Sequence, residues 1–64
     1  MSLKKYYGQT VTIVADNGEV FCGIVDTYFF PDDNENDLES IILKTSNGHL
    51  YEFTEEEIKT IETI

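Results

Sequence analysis

Apolar and polar residues alternate along much of this chain, and the period of two predicts strands rather than helices. Val11, Ile13 and Ala15 take every second place in residues 10–15, the first expected strand. A second, unusually long stretch runs from Val20 to Phe30 and contains Gly23, which in a strand interior marks a bend or a close backbone approach. Ser40 to Thr45 forms a third, centred on Ile41-Ile42-Leu43, and His49 to Phe53 a fourth, with Leu50 alternating against Tyr51 and Phe53. Ile58 to Ile64 closes the set. Its isoleucines have a helical spacing, but Thr60 and Thr63 between them favour a strand.

The connections fit the same reading. Asn17-Gly18 and Asn47-Gly48 are hairpin signals, because both residue types accept positive φ cheaply. The length of the first loop sets the register. A two-residue loop pairs Ile13 with Cys22. A three-residue loop with Gly18 at a bulge pairs Ile13 with Phe21, so that Val11, Ile13, Phe21 and Val25 line the core with Gly23 between them. The second is favoured, since it buries Phe21 and gives Gly23 a packing reason. Pro31 to Glu39 holds one proline and five acids in the eight residues from Asp32, and reads as an exposed loop. Thr54-Glu55-Glu56-Glu57 has the form of a capping box and predicts one helical or 3₁₀ turn. Residues 2–8 predict a short N-terminal helical turn or lead-in that rests on packing Leu3 and Tyr6 or Tyr7, with Gly8 ending it. The expectation is one all-β domain over residues 1–64.

The run from Tyr6 to Val25 resembles the first motif of the Sm and Sm-like family. The matching positions are Val11, Ile13, Ala15, Gly18, Phe21, Gly23 and Val25. The chain also looks like a group of short, acidic bacterial Sm-like proteins. The resemblance implies a small five-stranded, strongly bent barrel of Src-homology-3-like form, built into ring-shaped oligomers that bind RNA. The departures concern the RNA site. Phe29 stands where the family's base-contacting Asp is expected, and the acidic 31–39 segment displaces its Asn. Phe53, Ile58 and Ile61 keep the apolar frame of the second motif, but acids replace its basic residue and glycine. The scaffold carries over; no RNA-binding residue does.

Charge sharpens that conclusion. Thirteen Asp and Glu face four lysines and no arginine, for a net charge of -9. Nucleic-acid affinity comes largely from Lys and Arg displacing counterions, so this balance disfavours RNA. Cys22 is the only cysteine, which excludes a disulfide within the chain and fits a reducing compartment. No apolar run approaches the roughly 18 residues of a membrane span, and no signal-peptide pattern opens the chain. A cytoplasmic protein with no membrane association is expected.

Candidate chemistry is thin. Asp32-x-Asn34-x-Asn36 begins like a calcium loop, but Asp37 stands at the glycine position and Leu43 at the closing glutamate. Cys22 reads as a small buried or half-buried residue, and His49 as an exposed strand residue, because a metal site needs further ligands. No metal or other cofactor is expected. No nucleophile–base pair or phosphate loop is legible, so the expected function is non-catalytic. The aromatics are numerous for 64 residues. Tyr28, Phe29 and Phe30 put rings on both faces of one strand, so one side needs covering by the N-terminal segment or by another subunit. With Glu55, Glu56 and Glu57, they form the candidate interaction surface. The expected role is a protein-interaction or self-assembly module that associates with itself through edge strands and with a protein partner of unknown identity; the alternative is an RNA-binding Sm-like ring protein.

Overall fold

A computed structural model describes residues 2–64. Among these residues, five antiparallel strands form one sheet: β1 (Thr10–Ala15), β2 (Val20–Phe29), β3 (Ser40–Lys44), β4 (Leu50–Thr54) and β5 (Ile58–Thr63). Their order across the sheet is β4-β3-β2-β1-β5. Three single 3₁₀ turns accompany them, at Lys4–Tyr6, Pro31–Asp33 and Glu55–Glu57.

Both Asn-Gly hairpins fold the same way. The Ala15 amide donates to the Glu19 carbonyl, and the Gly18 amide returns to the Ala15 carbonyl. Thr45, His49 and Gly48 repeat this arrangement. Gly18 and Gly48 sit at φ 89° and 85°, the left-handed conformation that such three-residue loops demand. Thr45 and His49, expected in strands, therefore close the second turn. The first turn pairs Ile13 with Phe21 and Val11 with Gly23, the favoured register.

That register decides the faces. Val11, Ile13, Ala15, Val25, Ile41, Leu43, Phe53 and Ile58 point inward and are buried, with Leu3 of the N-terminal segment completing the core. Each of these side chains larger than Ala15 contributes about 1.5–3 kcal/mol by leaving water. Phe21 is half-buried, its ring 5.0 Å from Tyr51 and 5.1 Å from Phe53. Cys22 is exposed, not buried or half-buried as expected. With Phe21 inward, its neighbour must face out, opposite Thr12, whose hydroxyl lies 3.8 Å from the sulfur.

Two features curl the sheet. At Gly23 the end of β3 presses against the β2 backbone: a Cβ there would collide with the Lys44 carbonyl oxygen and lie 2.9 Å from its carbon. The link from Thr54 to Ile58 joins the two outer strands, β4 and β5. Four residues reach at most about 14 Å, whereas the edges of a flat five-stranded sheet stand about 19 Å apart. The edges are thus drawn together at this end. The turn is tied to both sides: Glu55 donates its amide to the Glu39 carbonyl, and the Glu57 carbonyl accepts from the Asp16 amide. β4 and β5 do not pair with each other, so the sheet remains open.

Candidate interaction site

A bulge in β2 places the aromatic residues. Val25 pairs with Leu43 and Thr27 with Ile42, leaving Asp26 as the extra residue. The added residue reverses the alternation, so Tyr28 turns inward with Val25 although three positions separate them. Tyr28 packs on the core and donates its hydroxyl to Glu39 Oε1 at 2.8 Å. The same oxygen accepts the Leu3 amide at 2.9 Å. Burial, this hydrogen bond and the charges of Glu39 and Glu55 push the Tyr28 hydroxyl up to about 12. The N-terminal segment thus covers one side of the Tyr28–Phe30 run.

Phe30 stacks edge-on against Tyr28 at 5.1 Å and remains 49% exposed. The Lys4 ammonium lies 5.1 Å from the centre of the Phe30 ring. Lys4, Tyr7, Asp26, Thr27, Tyr28 and Phe30 line an open hollow of about 430 Å³. Phe29 is half-buried and, one place along the strand, belongs to the opposite face, so it takes no part in this hollow. The three rings therefore lie on two faces of the chain.

The glutamates also divide. Glu57 Oε1 accepts the Thr54 amide at 2.9 Å and the Thr54 hydroxyl at 3.1 Å, holding the turn. Glu55 Oε1 takes the Glu39 amide at 3.4 Å, which brings Glu55 to the Tyr28–Glu39 junction. Glu56 is exposed. The acidic loop is braced by its own side chains. The Asn34 side-chain amide donates to the Leu38 carbonyl at 2.6 Å and to Ser40 Oγ at 3.3 Å, and Asn36 Oδ1 accepts the Leu38 amide at 3.1 Å. Two of the three calcium-like positions therefore brace the loop. Asp37, where a calcium loop has glycine, has φ 56°. Among the described residues, no group of three or more His, Cys, Asp or Glu side chains is placed to hold a metal. His49 is exposed, with its ring 6.3 Å from Tyr51. No helix among them is long and apolar enough to cross a membrane.

The second candidate surface is the pair of free edges. Antiparallel strands alternate between residues that bond one neighbour and residues that bond the other. The Glu55–Glu39 and Thr45–His49 bonds fix this alternation for β3 and β4. Tyr51 and Phe53 bond toward β3, so the backbones of Leu50 and Glu52 face out of the sheet. The Ile64–Thr10 bond does the same for β5, where Ile61 and Thr63 face outward. The Tyr6 hydroxyl reaches the outward Ile61 carbonyl at 3.5 Å, a long contact that covers little of this edge. Exposed apolar side chains flank the edges: Leu50 and Tyr51 on β4, and Ile64 beyond β5.

Sequence reasoning missed Glu39, Lys4, Tyr7 and Asp26. Glu39 closed an acidic run and looked solvated; only the fold brings it to Leu3 and Tyr28. The bulge had one legible trace, that Val25 and Tyr28 are both large apolar residues yet cannot share a face by strict alternation. No protein-family model, curated protein or solved structure matches this chain.

Proposed function

We propose that this chain is a non-catalytic, Sm-like self-assembly module whose subunits join by pairing β4 of one copy with β5 of the next. One observation carries the reading: a single curled sheet ends in two free edges, each with outward backbone donors and acceptors and an apolar flank. Unpaired edges are templates for strand addition unless they are short, charged or covered. Edge β4 carries Leu50 and Tyr51 beside the single acid Glu52, which is weak protection. Two different edges make a head-to-tail contact, and such contacts close into rings when the rotation permits. The finer reading, a strongly bent Sm-like barrel, draws support from the Gly23 crossing and the short link between β4 and β5. It also agrees with the Tyr6–Val25 motif.

The mass in solution tests the proposal. Light scattering and native mass spectrometry should give a closed ring, of about five to seven subunits. Glu52→Pro should dissociate it, because the Glu52 amide points out of the sheet and its loss costs no bond to β3. Circular dichroism should stay that of the parent. A parent protein that is monomeric, or a folded Glu52→Pro variant that keeps the ring, would sink edge pairing through β4. Filter binding to poly-U at low salt addresses the alternative: micromolar affinity that weakens with salt would favour an RNA-binding ring.

A further inference from the structure

The hollow between the N-terminal turn and the second half of β2 has a composition the self-assembly reading does not use. Its walls are the rings of Tyr7, 59% exposed, and Phe30, 49% exposed, with Tyr28 beside them. Its acid is Asp26, the bulged residue, whose Oδ2 accepts the Thr27 hydroxyl at 3.3 Å. A cation already occupies one wall, since the Lys4 ammonium sits over Phe30. Ring faces and a carboxylate together favour an organic cation, through the ring quadrupole and through charge. The acidic Asp32, Asp33, Glu35 and Asp37 follow Phe30 directly, on a chain of net charge -9.

The backbone adds a second element. Even-numbered residues of β3 bond β2, which pairs Thr27 with Ile42 and Phe29 with Ser40 through hydrogen bonds. Tyr28 lies between them, so its amide and carbonyl point away from β3, toward the side where the hollow lies. A polypeptide backbone passing there finds both a donor and an acceptor.

We propose that this hollow binds a basic segment of a partner protein, with one Arg or Lys side chain held against Phe30 and Asp26 in the place Lys4 now takes. Lys4 then acts as an internal stand-in that the partner displaces. The lining residues lie outside β4 and β5, so the site is compatible with edge-to-edge assembly and does not depend on it.

The probe is a fluorescein-labelled hexa-arginine peptide, followed by anisotropy at 150 mM salt on the full chain in its native assembly state. Amide shifts on adding unlabelled peptide should centre on Tyr7 and residues 26–30. Phe30→Ala should weaken binding about fivefold, the equivalent of about 1 kcal/mol of cation–π attraction. Asp26→Asn should weaken it more than Glu56→Gln, which removes the same charge elsewhere. Lys4→Gln should strengthen it more than Lys44→Gln. Circular dichroism identifies any variant that fails to fold, and Phe30→Leu, which keeps bulk but loses the ring face, then replaces Phe30→Ala. The proposal is overturned by shifts spread over all the acidic residues, by Asp26→Asn matching Glu56→Gln, or by poly-U displacing the peptide from these same amides. The last would mark a nucleic-acid surface instead. No binding at 150 mM salt would overturn it too.

Discussion

Glu39 gathers two donors on one carboxylate oxygen, the Leu3 amide and the Tyr28 hydroxyl, and so ties the N-terminal segment to the sheet. Its position makes a pH prediction. The Tyr28 hydroxyl is raised to about 12 in the folded chain, from an ordinary value of 10.0. The fold therefore holds the neutral phenol, and the unfolded chain loses this proton first as pH rises. The contribution to stability is complete below about pH 10 and disappears as pH climbs from there through about 12. Absorbance at 295 nm should show a late ionisation phase near pH 12 with the amplitude of one tyrosine. Tyr28→Phe should remove that late phase. It should also lower stability near neutral pH by about 1 kcal/mol through the lost hydrogen bond. A late phase that persists in Tyr28→Phe would assign it to another tyrosine.

At the scale of elements, what was legible follows from how local the cause is. The Asn-Gly turns are local, so both hairpins were readable, and the first could be registered from the size of Phe21 and the glycine two residues on. The β2 bulge answers to a distant demand, the seating of Tyr28 against the core, and its one local trace is that Val25 and Tyr28 are both apolar at a spacing strict alternation does not allow. Cys22 shows the cost of judging a residue by type alone. The register already sent it outward, whatever cysteine prefers. Plain alternation divides the rings of residues 28–30 between two faces, whereas the hydrogen bonds that separate Glu55 from Glu57 depend on the fold around the 3₁₀ turn. Gly23 offers the sharpest test at this scale. A methyl there meets backbone atoms of Lys44, at the end of β3, and of Thr45 in the turn that follows, which cannot swing aside as a side chain would. Gly23→Ala should lower stability by about 1–3 kcal/mol in urea unfolding, the usual penalty for overfilling a packed site. The Gly23 φ is not in the left-handed region, so the cost would be steric. An unchanged midpoint would mean that β3 moves freely past β2, and that the crossing does not set the curl.

For the whole molecule, the acidic charge and the free edges pull in opposite directions. The proposed edge pairing would bring together copies that each carry a net charge of -9, with four lysines to offset thirteen acids. Between such copies repulsion acts over the screening length, roughly 30 Å at 0.01 M salt and 10 Å at 0.1 M. Backbone hydrogen bonds and apolar contacts at the edges are far less sensitive to salt. Self-association should therefore strengthen as salt rises from about 10 to 300 mM, the reverse of binding to a phosphate backbone. Sedimentation velocity over that range, at fixed protein concentration and neutral pH, reads the sign directly. Growth of the larger species with salt would identify edges that associate despite their charge. Dissociation with salt would instead identify an interface held by ion pairs. Since lysines are the only basic side chains apart from His49, Lys4, Lys5, Lys44 and Lys59 would then be the residues to neutralise one by one.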